Sequence, residues 1–298
     1  VTDPSPTAAP SADRDLGGAD RVPAVGDAVR ALPATRATAA RAFVGLLERD
    51  LAVMRRNLGE FVGRTAIQPL MFVFVFTYLF PKIGQGFTGP GGTSFATVLV
   101  PGLVAVAAVF SGITAVGMPL SVEFGATREI EDRAMAPCPV WTVAAEKVVY
   151  GALHALASAV VVFPLVYLVP ATPVSVHVGN WPLLVVVVAL ACLIAGALGL
   201  ALGTVVKPER IGLMFAVVVL PLTFLGCVYY PWERLASVRW LQVVVLANPV
   251  VYVSEGLRNA LTPALPHMAA WAYLLAMVVF LVALLAFGTW RFLARIVT

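Results

Sequence analysis

The sequence predicts an all-α polytopic membrane protein: an amphipathic N-terminal interfacial helix, six transmembrane helices, and a re-entrant or interfacial helical pair before the last span. Three observations predict it. Six apolar runs, at residues 66–80, 95–122, 148–170, 183–206, 211–230 and 269–290, punctuate the chain, and all but the first hold 20 or more residues without a charged side chain. Hydrophobic residues make up 60% of the 298 and charged residues 12%, with a mean hydropathy of +0.92. A soluble domain carries roughly a quarter charged residues. The basic residues also gather on one side of the runs, which a soluble fold has no reason to enforce.

A helix rises ~1.5 Å per residue, so ~20 apolar residues cross the ~30 Å hydrocarbon core. The first run is short, and reaches that length if the span begins near Phe61 and Arg64 snorkels to the interface. With the N-terminus in the cytoplasm, 16 of the 20 Lys and Arg residues fall on the inner side, leaving Lys82, Arg234, Arg239 and Arg258 outside. Those nearest the inner ends of spans, Arg55, Arg56, Arg64, Lys207, Arg210, Arg291 and Arg295, carry most weight. Both termini are therefore predicted to be cytoplasmic. The net charge of +4 reflects this distribution and not affinity for nucleic acid.

Residues 1–39 are rich in Ala, Pro, Asp and Arg without an apolar core, and read as a disordered cytoplasmic tail. Residues 40–64 place Phe43, Leu47, Leu51, Met54, Leu58 and Phe61 three or four apart, with Arg41, Glu48, Arg49, Arg55, Arg56 and Glu60 on the other faces. That spacing predicts an amphipathic helix lying in the inner interface or packed on a partner protein. Residues 65–298 form the six-span domain. Residues 85–93 are Gly-rich but precede a membrane span and lack a following Lys-Ser or Lys-Thr, so they read as a connector and not a phosphate cradle.

Residues 121–147 form the cytoplasmic loop between the second and third spans and hold the densest charge cluster. It reads Glu123, Arg128, Glu129, Glu131, Asp132 and Arg133, then Pro137-Cys138-Pro139, then Glu146-Lys147. A helix-forming charged stretch broken by prolines predicts a short rigid element displayed on the inner surface. In the third span, His154 is read as facing a neighbouring helix, with a proton relay as the less favoured role, because no membrane-buried carboxylate accompanies it. Gly196, Gly199 and Gly203 in the fourth span predict close helix packing within one chain. Residues 231–260 hold 15 uncharged residues from Trp240 to Ser254, too few for a crossing and interrupted by Asn248-Pro249. They are predicted to remain at the outer face, with Glu255 and Arg258 paired. Tyr229, Tyr230, Trp232 and Trp240 are predicted to form an aromatic belt there.

Several functions are excluded. The chain has no P-loop, no His-Glu-x-x-His and no Gly-x-Ser-x-Gly. No span carries a ladder of arginines, and no acidic residue is placed at the middle of one, which disfavours ion-gradient coupling. Cys138, Cys192 and Cys227 lie at different depths without metal spacing and read as idle or buried thiols. No catalytic, cofactor or metal residue is predicted. Energy must come from another subunit, or the protein does no work.

Taken together, the amphipathic helix, the charged segment with its proline turn after the second span, and the stretch from Asn248-Pro249 to Glu255 and Arg258 before the last span make the chain resemble the permease subunits of type-2 ABC exporters. That group includes the daunorubicin-resistance and lipo-oligosaccharide or polysaccharide export permeases. The likeness covers about residues 40–298. It implies that Glu123, Arg128, Glu129, Glu131, Arg133 and Pro137 belong to a coupling helix docking on a separate nucleotide-binding ATPase subunit. It implies that Pro231, Asn248, Pro249, Glu255 and Arg258 belong to an external re-entrant region. It further implies a second permease copy or paralogue, contact with membrane lipid, ATP and Mg held by the partner ATPase, and residence in a bacterial cytoplasmic membrane. The expected function is ATP-driven export of a hydrophobic drug-like, lipid or lipid-linked glycan substrate. A non-transporting membrane scaffold or assembly factor, and an ion-gradient-driven transporter, remain as alternatives.

Overall fold

The computed structural model describes residues 36–83, 94–127, 139–169, 174–206 and 208–297. The predicted tail, apart from its last four residues, and the Gly-rich connector lie outside the described residues. Helix α1 spans Arg36–Arg56 and α2 spans Leu58–Val73, running on through a π-turn at Phe74–Leu79 into a last turn at Phe80–Lys82. Helices α3 (Phe95–Val122), α4 (Val140–Leu168) and α5 (Trp181–Val205) follow, and a π-turn at Glu123–Thr127 extends α3. No strand forms among the described residues.

Helix α3 is the centre of the bundle, because it is apolar on every face and so gains from contact all round. Its most apolar window is 94% buried, against 19% for the span that begins at Leu58. It packs on α4 and α5, which also pack on each other. Glycines permit the close approach, as the sequence predicts. A side chain at Gly196 would overlap the Val148 carbonyl of α4, one at Gly199 would come 2.8 Å from Val116 of α3, and one at Gly203 would come 3.0 Å from the Gly117 carbonyl. These contacts are within one chain. Asn180 starts α5, its side-chain oxygen accepting from the Leu183 amide at 3.0 Å with Pro182 in the first turn.

Five helical stretches are long and apolar enough to cross a membrane: 58–82, 95–125, 141–168, 181–205 and 270–295. They coincide with five of the six predicted runs. The first begins at Leu58, so the extension proposed for the short run is present. It also takes seven residues, 58–64, that the sequence reading assigned to the amphipathic helix. The chain breaks at Asn57, whose backbone leaves the helical region and whose side chain makes no cap.

The fifth predicted span, 211–230, is corrected. It consists of a 3-10 turn at Pro208–Arg210, a turn at Ile211–Met214, a π-turn at Phe215–Val219 and a last turn at Leu220–Phe224. Its 17 helical residues rise about 25 Å, short of a regular crossing. Helix ends at Leu225, and Cys227 at φ +50° reverses the chain in the left-handed conformation that commonly stops helices. Non-helical residues 225–230 follow, with the Val228 carbonyl against Gly102 near the start of α3.

A 3-10 turn at Trp232–Ser237 leads to α6 (Arg239–Val244), which runs into another 3-10 turn at Val245–Ala247. Helix α7 (Pro249–Leu261) meets that pair at 99°. So sharp a bend at Asn248-Pro249 gives the predicted helical pair and no straight crossing. Helix α8 (Ala270–Val297) closes the fold against α5 and leaves Val278, Val279, Val282 and Phe287 exposed. Such a face is stable only where the surrounding solvent is itself apolar, which makes the chain a multi-pass membrane protein.

Candidate functional site

Three constellations collect the polar chemistry of this apolar bundle. The first lies where the end of α3, the start of α4 and the ends of α5 and α8 meet. Lys147, one of few charges in the first turns of α4, is only 4% exposed. Its ammonium donates to Asp50 Oδ2 of α1 at 2.9 Å and lies 3.6 Å from Glu123 Oε1 in the π-turn after α3. Arg49 donates to the other Asp50 oxygen at 2.9 Å. A buried ammonium is tolerable here because two carboxylates replace its hydration. Burial pushes the Asp50 carboxyl up, but the Lys147 hydrogen bond and charge, with Arg49, outweigh it and hold Asp50 below the ordinary carboxylate range.

The same end is closed by Arg295 of α8. It donates to the Thr204 carbonyl at 2.9 Å, offering a cation to the C-terminal carbonyls of α5. Its guanidinium also sits 4.7 Å from the ring of Phe124, which packs on Phe292 at 5.4 Å. Ser121 donates to the Val206 carbonyl at 2.8 Å. Five helices, α1, α3, α4, α5 and α8, are thus fastened around the two ends of the loop that follows α3. Of the predicted coupling residues, Glu123 is in this cluster; Arg128, Glu129, Glu131, Arg133 and Pro137 lie outside the described residues. Sequence reasoning missed Asp50, because nothing local to an amphipathic helix sets one charge apart from its neighbours. The available signal was Lys147, a charge at the mouth of an otherwise apolar run.

The second constellation lies at the opposite end of α3. The Arg258 and Glu255 side chains of α7 are fully buried and pair with each other, as their spacing predicts. Arg258 Nη2 also donates to the Cys227 carbonyl at 2.9 Å. The Glu255 carboxylate accepts from the backbone amides of Trp232 at 2.9 Å and Met268 at 2.8 Å. Ser254 donates to the Gly226 carbonyl at 2.6 Å. Asn248 caps α7, its oxygen accepting from the Val250 amide at 2.9 Å with Pro249 in the first turn, while its amide donates to the Leu222 carbonyl at 2.7 Å. Pro231 is buried at the start of the 3-10 turn. Asn248, Glu255 and Arg258 therefore belong to one hydrogen-bonded unit, with Pro231 and Pro249 beside it at the starts of their helical turns, joining the end of the fifth segment, the bent pair and the strap before α8.

The predicted aromatic belt is divided. Trp240 is 69% exposed, but the Trp232 indole donates to the Gln242 carbonyl at 3.2 Å and Tyr229 turns inward against Phe72 at 5.4 Å. Tyr229 reaches the third constellation, a cavity of about 250 Å³ between α1 and α2 on one wall and α3 and α4 on the other. His154 faces it. The imidazole lies 3.0 Å from the Tyr150 hydroxyl and meets the Phe61 ring of α2 edge-on at 5.0 Å, so it does face a neighbouring helix. Cys192 and Cys227 are buried free thiols. Among the described residues no group of His, Cys, Asp or Glu is arranged to hold a metal ion.

Comparison with known families finds a match over residues 41–262, from the first turns of α1 to the end of α7. Comparisons with curated proteins and with solved structures give no match. The matched stretch contains the Asp50–Lys147–Glu123 cluster, the cavity and all but the final strap of the bent-pair unit. The chain, a multi-pass membrane protein and the membrane component of a transporter, belongs to the ABC-2 type transporter family.

Proposed function

We propose that this chain forms the translocation path of an ATP-driven exporter in a bacterial cytoplasmic membrane and transmits force from a separate ATPase subunit. The observation that carries this reading is the Lys147 cluster: a buried charge network joins the amphipathic helix to both ends of the charged loop after α3, where a docked partner would push. The proposed contact comprises Glu123, Arg128, Glu129, Glu131, Arg133 and Pro137, with Asp50 and Lys147 behind it. The partner holds ATP and Mg, and a second permease copy or paralogue completes the path. ATP-driven closure of the partner would shift the spans between inward-open and outward-open states. The substrate is a hydrophobic drug-like molecule, a lipid or a lipid-linked glycan, matching walls that are mostly apolar.

Membranes holding this chain alone should show no ATP hydrolysis. Co-expression with a P-loop ATPase encoded beside it should yield a stable complex that hydrolyses ATP. Hydrolysis by the purified chain, or substrate movement driven by a proton gradient alone, would overturn the proposal.

The orientation proposed puts both termini and the Lys147 cluster in the cytoplasm and the bent pair outside, following the charge bias. Single cysteines at Glu233 and Asn259, with the native three removed, should react with an impermeant thiol reagent on intact cells. A cysteine at Thr298 should label only after permeabilisation. The reverse pattern would invert the topology and move the ATPase contact elsewhere.

A further inference from the structure

One side of helix α1 carries charge that the bundle does not answer. At ~3.6 residues per turn, Arg41, Glu48, Ala52, Arg55 and Arg56 share an arc of about 100°, and all five are exposed. The opposite side fastens the helix to the bundle. There Asp50 accepts from Lys147 of α4, and Leu46 packs on the apolar cluster of Leu120, Val143 and Phe292. The charged arc is therefore turned away from the spans.

Among the described residues Arg41, Arg55 and Arg56 enter no ion pair, whereas Arg49 at the edge of the arc is tied to Asp50. Glu48 is the one acidic residue on the arc, so positive charge is in excess. Arg41 lies about 22 Å along the helix from Arg55 and Arg56, too far for one small anion to bridge them. Apolar side chains border the charges: Val44 and Val53, on the two rims, are 51% and 53% exposed. A surface that suits both anions and hydrocarbon fits a bilayer interface better than a soluble anion or an acidic protein. Position agrees with this. Arg55 and Arg56 come just before Leu58, where the first membrane-crossing stretch begins, at the level of the headgroups.

We propose that the arginine arc of α1 binds anionic phospholipid headgroups of the inner leaflet, with Arg41, Arg55 and Arg56 on phosphates and Val44 and Val53 against the upper acyl chains. A zwitterionic headgroup brings a cation with its phosphate, so lipids of net negative charge are selected. Headgroups then hold the outer side of the helix whose inner side is tied to Lys147. The choice of leaflet rests on the orientation proposed above.

Fluorescence quenching tests it, with the full chain in nanodiscs of phosphatidylcholine. Ala52, exposed on the arc, is replaced as Ala52→Cys in a background lacking the three native cysteines and labelled with bimane. A small fraction of lipid brominated on the acyl carbons nearest the headgroup is included, either as phosphatidylglycerol or as phosphatidylcholine. Each arginine at an anionic surface contributes about fivefold. Brominated phosphatidylglycerol should therefore quench at a mole fraction at least about fivefold lower than brominated phosphatidylcholine. The triple variant Arg41→Gln, Arg55→Gln and Arg56→Gln should erase that preference, and the corresponding triple lysine variant should keep most of it, because the charge is what the lipid meets. Both should elute as the parent does, since the three side chains are exposed. Equal quenching by the two lipids in the parent, or a preference that survives the glutamine variant or is lost in the lysine variant, would overturn the proposal. So would the absence of quenching by either lipid, which would leave the arc facing the cytosol and open to a protein partner. No ATP or ATPase enters this assay and both leaflets carry the same lipid. Its failure therefore leaves the export reading and its orientation standing, and failure of the ATPase experiment leaves this result standing.

Discussion

Arg258→Met is expected to prevent accumulation of folded protein, although the side chain is nearly volume-matched and sits on a short helix far from the charged loop. Arg258 is fully buried, and its guanidinium divides between the Glu255 carboxylate and the Cys227 carbonyl. Removing it leaves the Glu255 charge without its cation and the left-handed turn at Cys227 without its donor. Breaking a buried pair from one side costs ~3–5 kcal/mol, a large part of the ~5–15 kcal/mol by which folded proteins are usually stable. Arg258→Lys should recover little, because an ammonium at one point cannot span the two acceptors that the forked guanidinium reaches.

Glu255→Gln tests the same unit from the other side. It keeps a carbonyl oxygen for one of the two amide donors, Trp232 and Met268, and loses the charge that balances Arg258. The double variant Glu255→Gln with Arg258→Met removes both charges of this pair and should be more stable than Arg258→Met alone. The measurement is the yield of monodisperse protein and its unfolding temperature in one detergent. A single variant as stable as the parent would show that the bent pair is held by apolar packing and not by this pair.

The spans were legible because hydropathy is a property of composition: any run of ~20 apolar residues must find an apolar solvent. The fifth segment was not, because a π-turn at Phe215–Val219 and a left-handed Cys227 leave hydropathy unchanged while shortening the helix. Asn248-Pro249 was read as a break; that it is also a cap, and a tie to Leu222, depends on tertiary contact that no local pattern encodes. Glu255 and Arg258 were recoverable from their spacing, but not the amides and carbonyl they hold. Tyr229 carried the residue type of a membrane belt, yet its ring packs inward on Phe72, since chain direction after Cys227 decides where it faces. Asp50 was invisible for the opposite reason. On an amphipathic helix every charge looks solvated until the partner helix is known, and Lys147 lies 97 residues away.

That long-range tie gives the second large effect. Lys147→Glu is expected to leave a permease that still inserts in the membrane but no longer couples ATP hydrolysis to transport. The substitution gathers three carboxylates where Lys147 now lies 2.9 Å from Asp50 and 3.6 Å from Glu123. Asp50 and Glu123 keep side-chain exposures of 12% each, so water screens part of the repulsion and the loss should be up to ~3 kcal/mol, below that of a fully buried pair. That is enough to release α1 from α4 without unfolding the bundle. The swap Asp50→Lys with Lys147→Glu restores opposite charges across the same gap and should regain most coupled transport.

Acid reports on the same contact. Asp50 is held below its ordinary value when folded, so its contribution is complete above the unfolded carboxylate range and is lost as pH falls through the folded value. Lys147→Met should flatten that acid limb in the unfolding temperature of the isolated permease. Coupled transport that survives Lys147→Glu, or a charge swap no better than the single variant, would show that force reaches the spans through the charged loop alone and that α1 is only a membrane anchor.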